Sequence, residues 1–188
     1  MNSIISTALA GVFLLSGTGS SSILNKSAPP APEPVPETYV VRMTGYNAVP
    51  GQTDSDPDVT ASGAYSDTDI VAARSVDLAE ELPFGTVIEI SRSATSTDPN
   101  CGYALVDHLV GYRVIADSMH PRKRNQIDVL FHVDSSVRAG GVYHNAATVL
   151  GMCKDIDIEV VGKVAINKMP RSQTELAQMI GRASLAAK

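Results

Sequence analysis

The chain has 188 residues, 15 Lys and Arg against 20 Asp and Glu, and a formal charge of −5. That sign excludes binding along a nucleic-acid backbone, which demands a dominant positive field, and neither a basic stripe nor a set of aromatic platforms offsets it in a chain with no Trp.

Residues 1–24, MNSIISTALAGVFLLSGTGSSSIL, hold an apolar run from Ile4 to Leu15 followed by small polar residues. This is the outline of a secretory signal, although no basic residue precedes the run and the first is Lys26. A retained N-terminal membrane anchor is the alternative, on a run short for spanning a bilayer. Export to the cell envelope, periplasmic or extracellular, is the expectation. Residues 25–38, NKSAPPAPEPVPET, are rich in proline and predict an extended spacer. The folded body then runs over 39–166, with a C-terminal helix in 167–188. A body of about 150 residues buries roughly two-thirds of its unfolded surface, enough for one core.

Short alternating segments dominate that body. TYVVRMTGY sets Tyr39, Val41 and Met43 against Val40, Arg42 and Thr44; GTVIEIS and GYRVIAD follow; NQIDVLFHVD puts Ile127, Val129, Phe131 and Val133 on one face; DIDIEVVGKV puts Ile156, Ile158 and Val160 together. Period-two patterns bounded by Gly, Pro, Asn and Asp are strands, and their regularity predicts a small closed or sandwiched all-β body. DSSVRAGG and YHNAATVLG each read as a helical turn or two stopped by glycine. SQTELAQMIGRASLAAK reads as a full helix, with Ser172 and Glu175 spaced as a capping box and Leu176, Met179, Ile180 and Ala183 on one stripe. No internal repeat is evident.

Two cysteines, Cys101 and Cys153, occur without a CxxC; in an exported protein one disulfide is the economical reading, worth roughly 4 kcal/mol in the chain-entropy description. DSDPD at 54–58 resembles a calcium loop, but Val59 stands where glycine is needed and Tyr65 where a bidentate acid is needed, so it reads as a turn. The histidines at 108, 120, 132 and 144 have no metal-ligand spacing. No metal and no cofactor are expected.

Within ADSMHPRKRNQIDVLF, Asp117 ends one predicted strand, and Asp128 lies on the next with its side chain away from the apolar face, beside Leu130 and His132, within reach of a hydrogen bond from the latter. Two carboxylates across one groove are the minimum equipment for breaking a glycosidic bond: one protonated near neutral pH, the other an acceptor. Paired aspartates at strand ends are also common in turns, and HPRKR at 120–124 reads either as a solvated loop or as a binder of carboxylates on stem peptides.

The segment resembles the three-aspartate (3D) domain of bacterial cell-wall proteins, related to the C-terminal part of membrane-bound lytic transglycosylase A. The family's motif resembles D-T-G-G-A-I-K-G-N-R-I-D, with two acids eleven positions apart; DSMHPRKRNQID keeps that separation, with Asp117 and Asp128 at the acids, Lys123 at the lysine, Asn125 at the asparagine and Ile127 before the second acid. Asp77 in SVDLAEELPFGT stands near the family's third aspartate, ahead of Pro83, Gly85 and Thr86, and TGYNA and TASG are similar to segments that bring Tyr46, Thr60 and Ser62 to the groove. Met119, His120 and Arg124 replace family glycines, which admit close approach of a sugar to backbone.

The resemblance covers roughly Val40 to Val164 and implies a six-stranded double-psi β-barrel of the RlpA-like kind. It implies a lytic transglycosylase acting on peptidoglycan glycan strands, cleaving the MurNAc–GlcNAc bond, with Asp128 as general acid, Asp117 tuning it and Asp77 supporting the groove; a monomer is expected. Tyr46, Thr60, Ser62, Lys123 and Asn125 would bind the glycan. A non-catalytic glycan-binding barrel and a two-aspartate hydrolase, with Asp117 as base, are the competing readings.

Overall fold

Six of the strands close into one barrel in the computed structural model, which describes residues 36–53, 56–94 and 96–182. They are β1 (Thr38–Asn47), β2 (Val71–Arg74), β3 (Thr86–Arg92), β4 (Tyr112–Ser118), β5 (Gln126–Phe131) and β8 (Cys153–Lys163), in the closed order β1-β5-β2-β4-β3-β8. β6 (Ser136–Ala139) and β7 (Val142–Asn145) form a separate two-stranded hairpin. The helices are short: α1 (Tyr103–Val110), α2 (Ala146–Leu150) and α3 (Gln173–Met179). The all-β barrel expected from the alternation is the fold found.

The pairing is mixed and has a symmetry the amino acids hide. β1 pairs in parallel with β5, and β2 in parallel with β4; every other barrel contact is antiparallel. Exchanging β1 with β4, β2 with β5 and β3 with β8 returns the same set of neighbours with the same directions. Two three-strand halves are thus interlocked, and β1 has both of its barrel neighbours in the other half.

β2 and most of β4 and β5 are buried on both faces, while β1 and β8 alternate. One cluster takes Val41, Met43, Ala72, Ile88, Ile115, Ile127, Val129, Phe131, Ile156 and Ile158, closed by Val106 and Val110 of α1 and Ala146 and Leu150 of α2. A second takes Tyr46, Val71, Ala73, Val114, Ala116 and Leu130 together with Leu176 and Ala177 of α3. Leu130 therefore does not share an open face with Asp128, as the alternation of β5 suggested: it is fully buried. Arg113 is buried among them at 1 % exposure, with its guanidinium donating to the carbonyls of Val110, Thr68, Val71, Leu130 and Leu109. Burial pushes its pKa down to about 10.

DSSVRAGG is not helical. Ser136–Ala139 is a strand, and the pair Gly140 and Gly141, both at positive φ, turns it back into β7; two successive positive φ values are what a two-residue hairpin turn requires. YHNAATVLG splits between β7 and α2, with Asn145 capping α2 by accepting from the N–H groups of Ala147 and Thr148. At the C-terminus, Ser172 accepts from Glu175 as the capping box predicts, while the Glu175 carboxylate reaches the N–H of Arg171. On the expected stripe Leu176 is buried, Ile180 packs against the second cluster and Met179 is exposed; Ala183 lies outside the described residues, as do the proposed signal and nearly all of the spacer. Cys101 and Cys153 form the disulfide, spanning 52 residues between the approach to α1 and the start of β8.

Candidate active site

Asp128 on β5 stands opposite Ala73 of β2, and Ala73 stands opposite Asp117 of β4. Residues directly opposite in neighbouring strands project from the same face, so both acids rise from one surface with a single methyl group between them. A bulge produces this. β2 and β4 pair Val71 with Val114 and Ala72 with Ile115, then skip Ala116 to pair Ala73 with Asp117. Without the extra residue, Ala116 would face Ala73 and Asp117 would point to the other side of the sheet.

The floor between these strands opens into a groove of about 490 Å³, whose lining includes Tyr46, Ala73, Asp117, Met119, His120, Lys123 and Asp128. Asp117 is held by three donors: Oδ1 accepts from the N–H of Ala61 at 2.9 Å and from its neighbour Ser118 at 2.8 Å, and Oδ2 accepts the Tyr46 hydroxyl at 3.0 Å. Burial and the neighbouring Asp117 push the Tyr46 hydroxyl's own pKa up, so it stays a donor.

Asp128 has a different setting. It is part-buried, and Thr44, opposite it on β1, donates to its Oδ1 at 2.9 Å. The Thr44 oxygen accepts the side-chain amide of Gln126 at 2.8 Å, and Gln126, 1 % exposed, is fixed in turn through its N–H to Ser75. Burial raises the Asp128 pKa to about 7, with the Asp117 charge adding to the rise and the Thr44 hydrogen bond and the Lys123 charge opposing it. One carboxyl that can carry a proton near neutral pH thus shares the groove with another whose oxygens accept from three donors.

The other expected residues act around the groove. The Thr60 hydroxyl accepts from that of Ser62 and donates to the Ala64 carbonyl, and the N–H of Ser62 bonds to Ala116; together they lace the turn that delivers the Ala61 N–H to Asp117. Asp77 is exposed, and its carboxylate accepts the N–H of Asn125 at 2.9 Å. Against a desolvation cost, hydrogen bonds from Ser75 and from the backbone at Asn125 hold its pKa below the ordinary carboxylate value. Asn125 sits at positive φ and donates its side-chain amide to the carbonyl of Val40, so Asp77 and Asn125 set the entry of β5 rather than line the groove. His132 is exposed and its Nδ1 accepts from the N–H of Asp134, and no hydrogen bond joins it to Asp128.

Thr44, Ala73 and Gln126 were not evident from the sequence. Thr44 and Tyr46 share parity on β1, a signal that places Thr44 on the groove face; the role of Ala73 depends on a bulge that no residue pattern marks. Among the described residues no group of three His, Cys, Asp or Glu side chains is placed to hold a metal ion. The chain matches no family model and no curated protein.

Proposed function

We propose that this protein is a peptidoglycan-cleaving enzyme of the lytic transglycosylase type, acting at the bond between MurNAc and GlcNAc without a cofactor. One observation carries the reading: Asp128, able to hold a proton up to about pH 7, opens onto a groove beside an Asp117 fixed as an acceptor.

Asp128 donates its proton to the glycosidic oxygen as the C1–O bond breaks, and the GlcNAc hydroxyl leaves neutral. The positive charge that develops at C1 and the ring oxygen is met by the carboxylates of Asp128 and Asp117. The 6-hydroxyl of the same MurNAc then attacks C1 and gives its proton back to Asp128, which closes a 1,6-anhydro ring and restores the acid. Thr44 occupies Oδ1 of Asp128, so the transferred proton belongs to Oδ2.

Hydrolysis would instead require a base to activate water. Asp117 is poorly suited to that, since three donors already engage its two oxygens. The N-terminal apolar run fits export to the cell envelope, where this substrate lies; no helix among the described residues is long and apolar enough to cross a membrane.

Incubating the full chain with purified peptidoglycan, followed by mass analysis of the soluble products, tests the proposal. Anhydro-muropeptides from the wild type and none from Asp128→Asn are expected. Binding to the glycan with no products from either protein would make this a binding barrel instead, and reducing-end products would make it a hydrolase.

A further inference from the structure

The loop between β4 and β5 holds four basic or imidazole side chains, and the structure divides them. Arg124 turns its guanidinium onto the carbonyls of Pro121 and Lys123. Lys123 closes a turn by donating its N–H to the carbonyl of His120 at 2.9 Å, which sets residues 120 and 123 side by side, and these two line the groove while Arg122 and Arg124 do not. The His120 Nδ1 accepts the N–H of Arg122 at 3.2 Å, so in the neutral ring Nε2 carries the hydrogen and is the donor that remains. Neither the Lys123 ammonium nor the His120 Nε2 has a hydrogen-bonding or salt-bridging partner among the described residues, and the Lys123 charge is felt by Asp128 of the same groove.

An ammonium and an imidazole N–H at adjacent places in the lining of a groove that also holds two acids are a receptor for a compact anion with two acceptor oxygens. The two acids would repel a ligand that is anionic throughout; they suit one that is neutral where it crosses them and anionic at one side. A glycan bearing a carboxylate substituent has that distribution.

We propose that His120 and Lys123 form a carboxylate-reading edge of the groove, which selects glycans carrying a carboxylate beside the scissile bond over neutral glycans of the same backbone. This rests on the glycan-cleaving reading above and adds to it the charge of the substrate. Lys123 binds as the point charge, and His120 supplies direction through Nε2–H.

Binding, measured without turnover, separates the two ideas. The full-length Asp128→Asn protein is titrated with soluble glycan strands bearing free carboxylates and with the same strands after their carboxyls are converted to amides. Free-carboxylate strands are expected to bind about tenfold more tightly than amidated ones. Adding His120→Ala and Lys123→Ala is expected to erase that difference by weakening only the carboxylate form. His120→Gln, which keeps a side-chain N–H donor, is expected to restore part of it in the presence of Lys123. A preference that survives the double substitution, or equal binding of both strands by Asp128→Asn, overturns the carboxylate edge and leaves the cleavage proposal standing. Failure of every protein to bind either strand, together with no products from the wild type, removes both.

Discussion

The hydroxyl of Thr44 donates to Oδ1 of Asp128 across 2.9 Å, and it has no second hydrogen to give. This contact favours the ionised acid, so losing it raises the Asp128 pKa further above its value of about 7. Thr44→Val keeps the shape of the side chain and removes the donor. Since a general acid works only while protonated, the alkaline limb of the pH–rate profile should move upward, by about one pH unit if the bond is worth a typical charge-assisted amount. A carbon-13 titration of the Asp128 carboxyl should move with it in the absence of substrate. An unchanged midpoint in both experiments would refute the role assigned to Thr44.

Asp128 should also leave a mark on stability. Its folded pKa of about 7 lies above the ordinary carboxyl value of 3.8, so between those pH values the native state keeps a proton that the unfolded chain has lost. Stability therefore falls as pH rises through that window, by on the order of 4 kcal/mol in total, and the cost persists at higher pH. Asp128→Asn removes the ionisation. In urea titrations the variant should match the wild type near pH 4 and exceed it near pH 8, while cleavage falls by roughly 10²–10⁴-fold or more. A stability difference independent of pH would count against a proton-bearing Asp128.

Ala73 tests the geometry without touching charge. It is the residue opposite both acids, 4 % exposed and on the groove wall. Ala73→Leu fills the gap between the carboxyls and should reduce cleavage at least tenfold, with a destabilisation of about 1–3 kcal/mol from overpacking. Full activity in a folded Ala73→Leu protein would show that the substrate does not pass between Asp117 and Asp128.

The disulfide should matter to stability and not to chemistry. Neither Cys101 nor Cys153 lines the groove, and Cys153 stands opposite Met43 in the pairing of β8 with β1. Replacing both cysteines with serine should cost about 4 kcal/mol, as expected for a closed loop of this length, and lower Tm while leaving the pH dependence of cleavage unchanged. A moved pH profile would mean that the bridge also shapes the acid pair.

Strands with one apolar and one polar side were legible as alternation, and so was the capping of α3 by Ser172. β2 escaped because VAAR is buried at all four positions, so it offers no period-two pattern. The β6–β7 hairpin escaped because its signal lies in two glycines that also read as helix stops. The site was legible as a pair of acids at a fixed spacing. What brings them to one face was not, because the face that Asp117 takes is decided by the skipped Ala116, a residue that looks like any other in the strand.

The interlocking of the two halves has a consequence for when the site can exist. β1 is made first, yet its partners begin at Gln126 and Cys153, so Thr44 and Tyr46 wait for acids more than seventy positions downstream. Pairings of such long sequence separation form slowly and late. A chain emerging from the ribosome therefore passes through most of its synthesis with no groove and no acid pair. The barrel closes only once its last strand, β8, has been delivered.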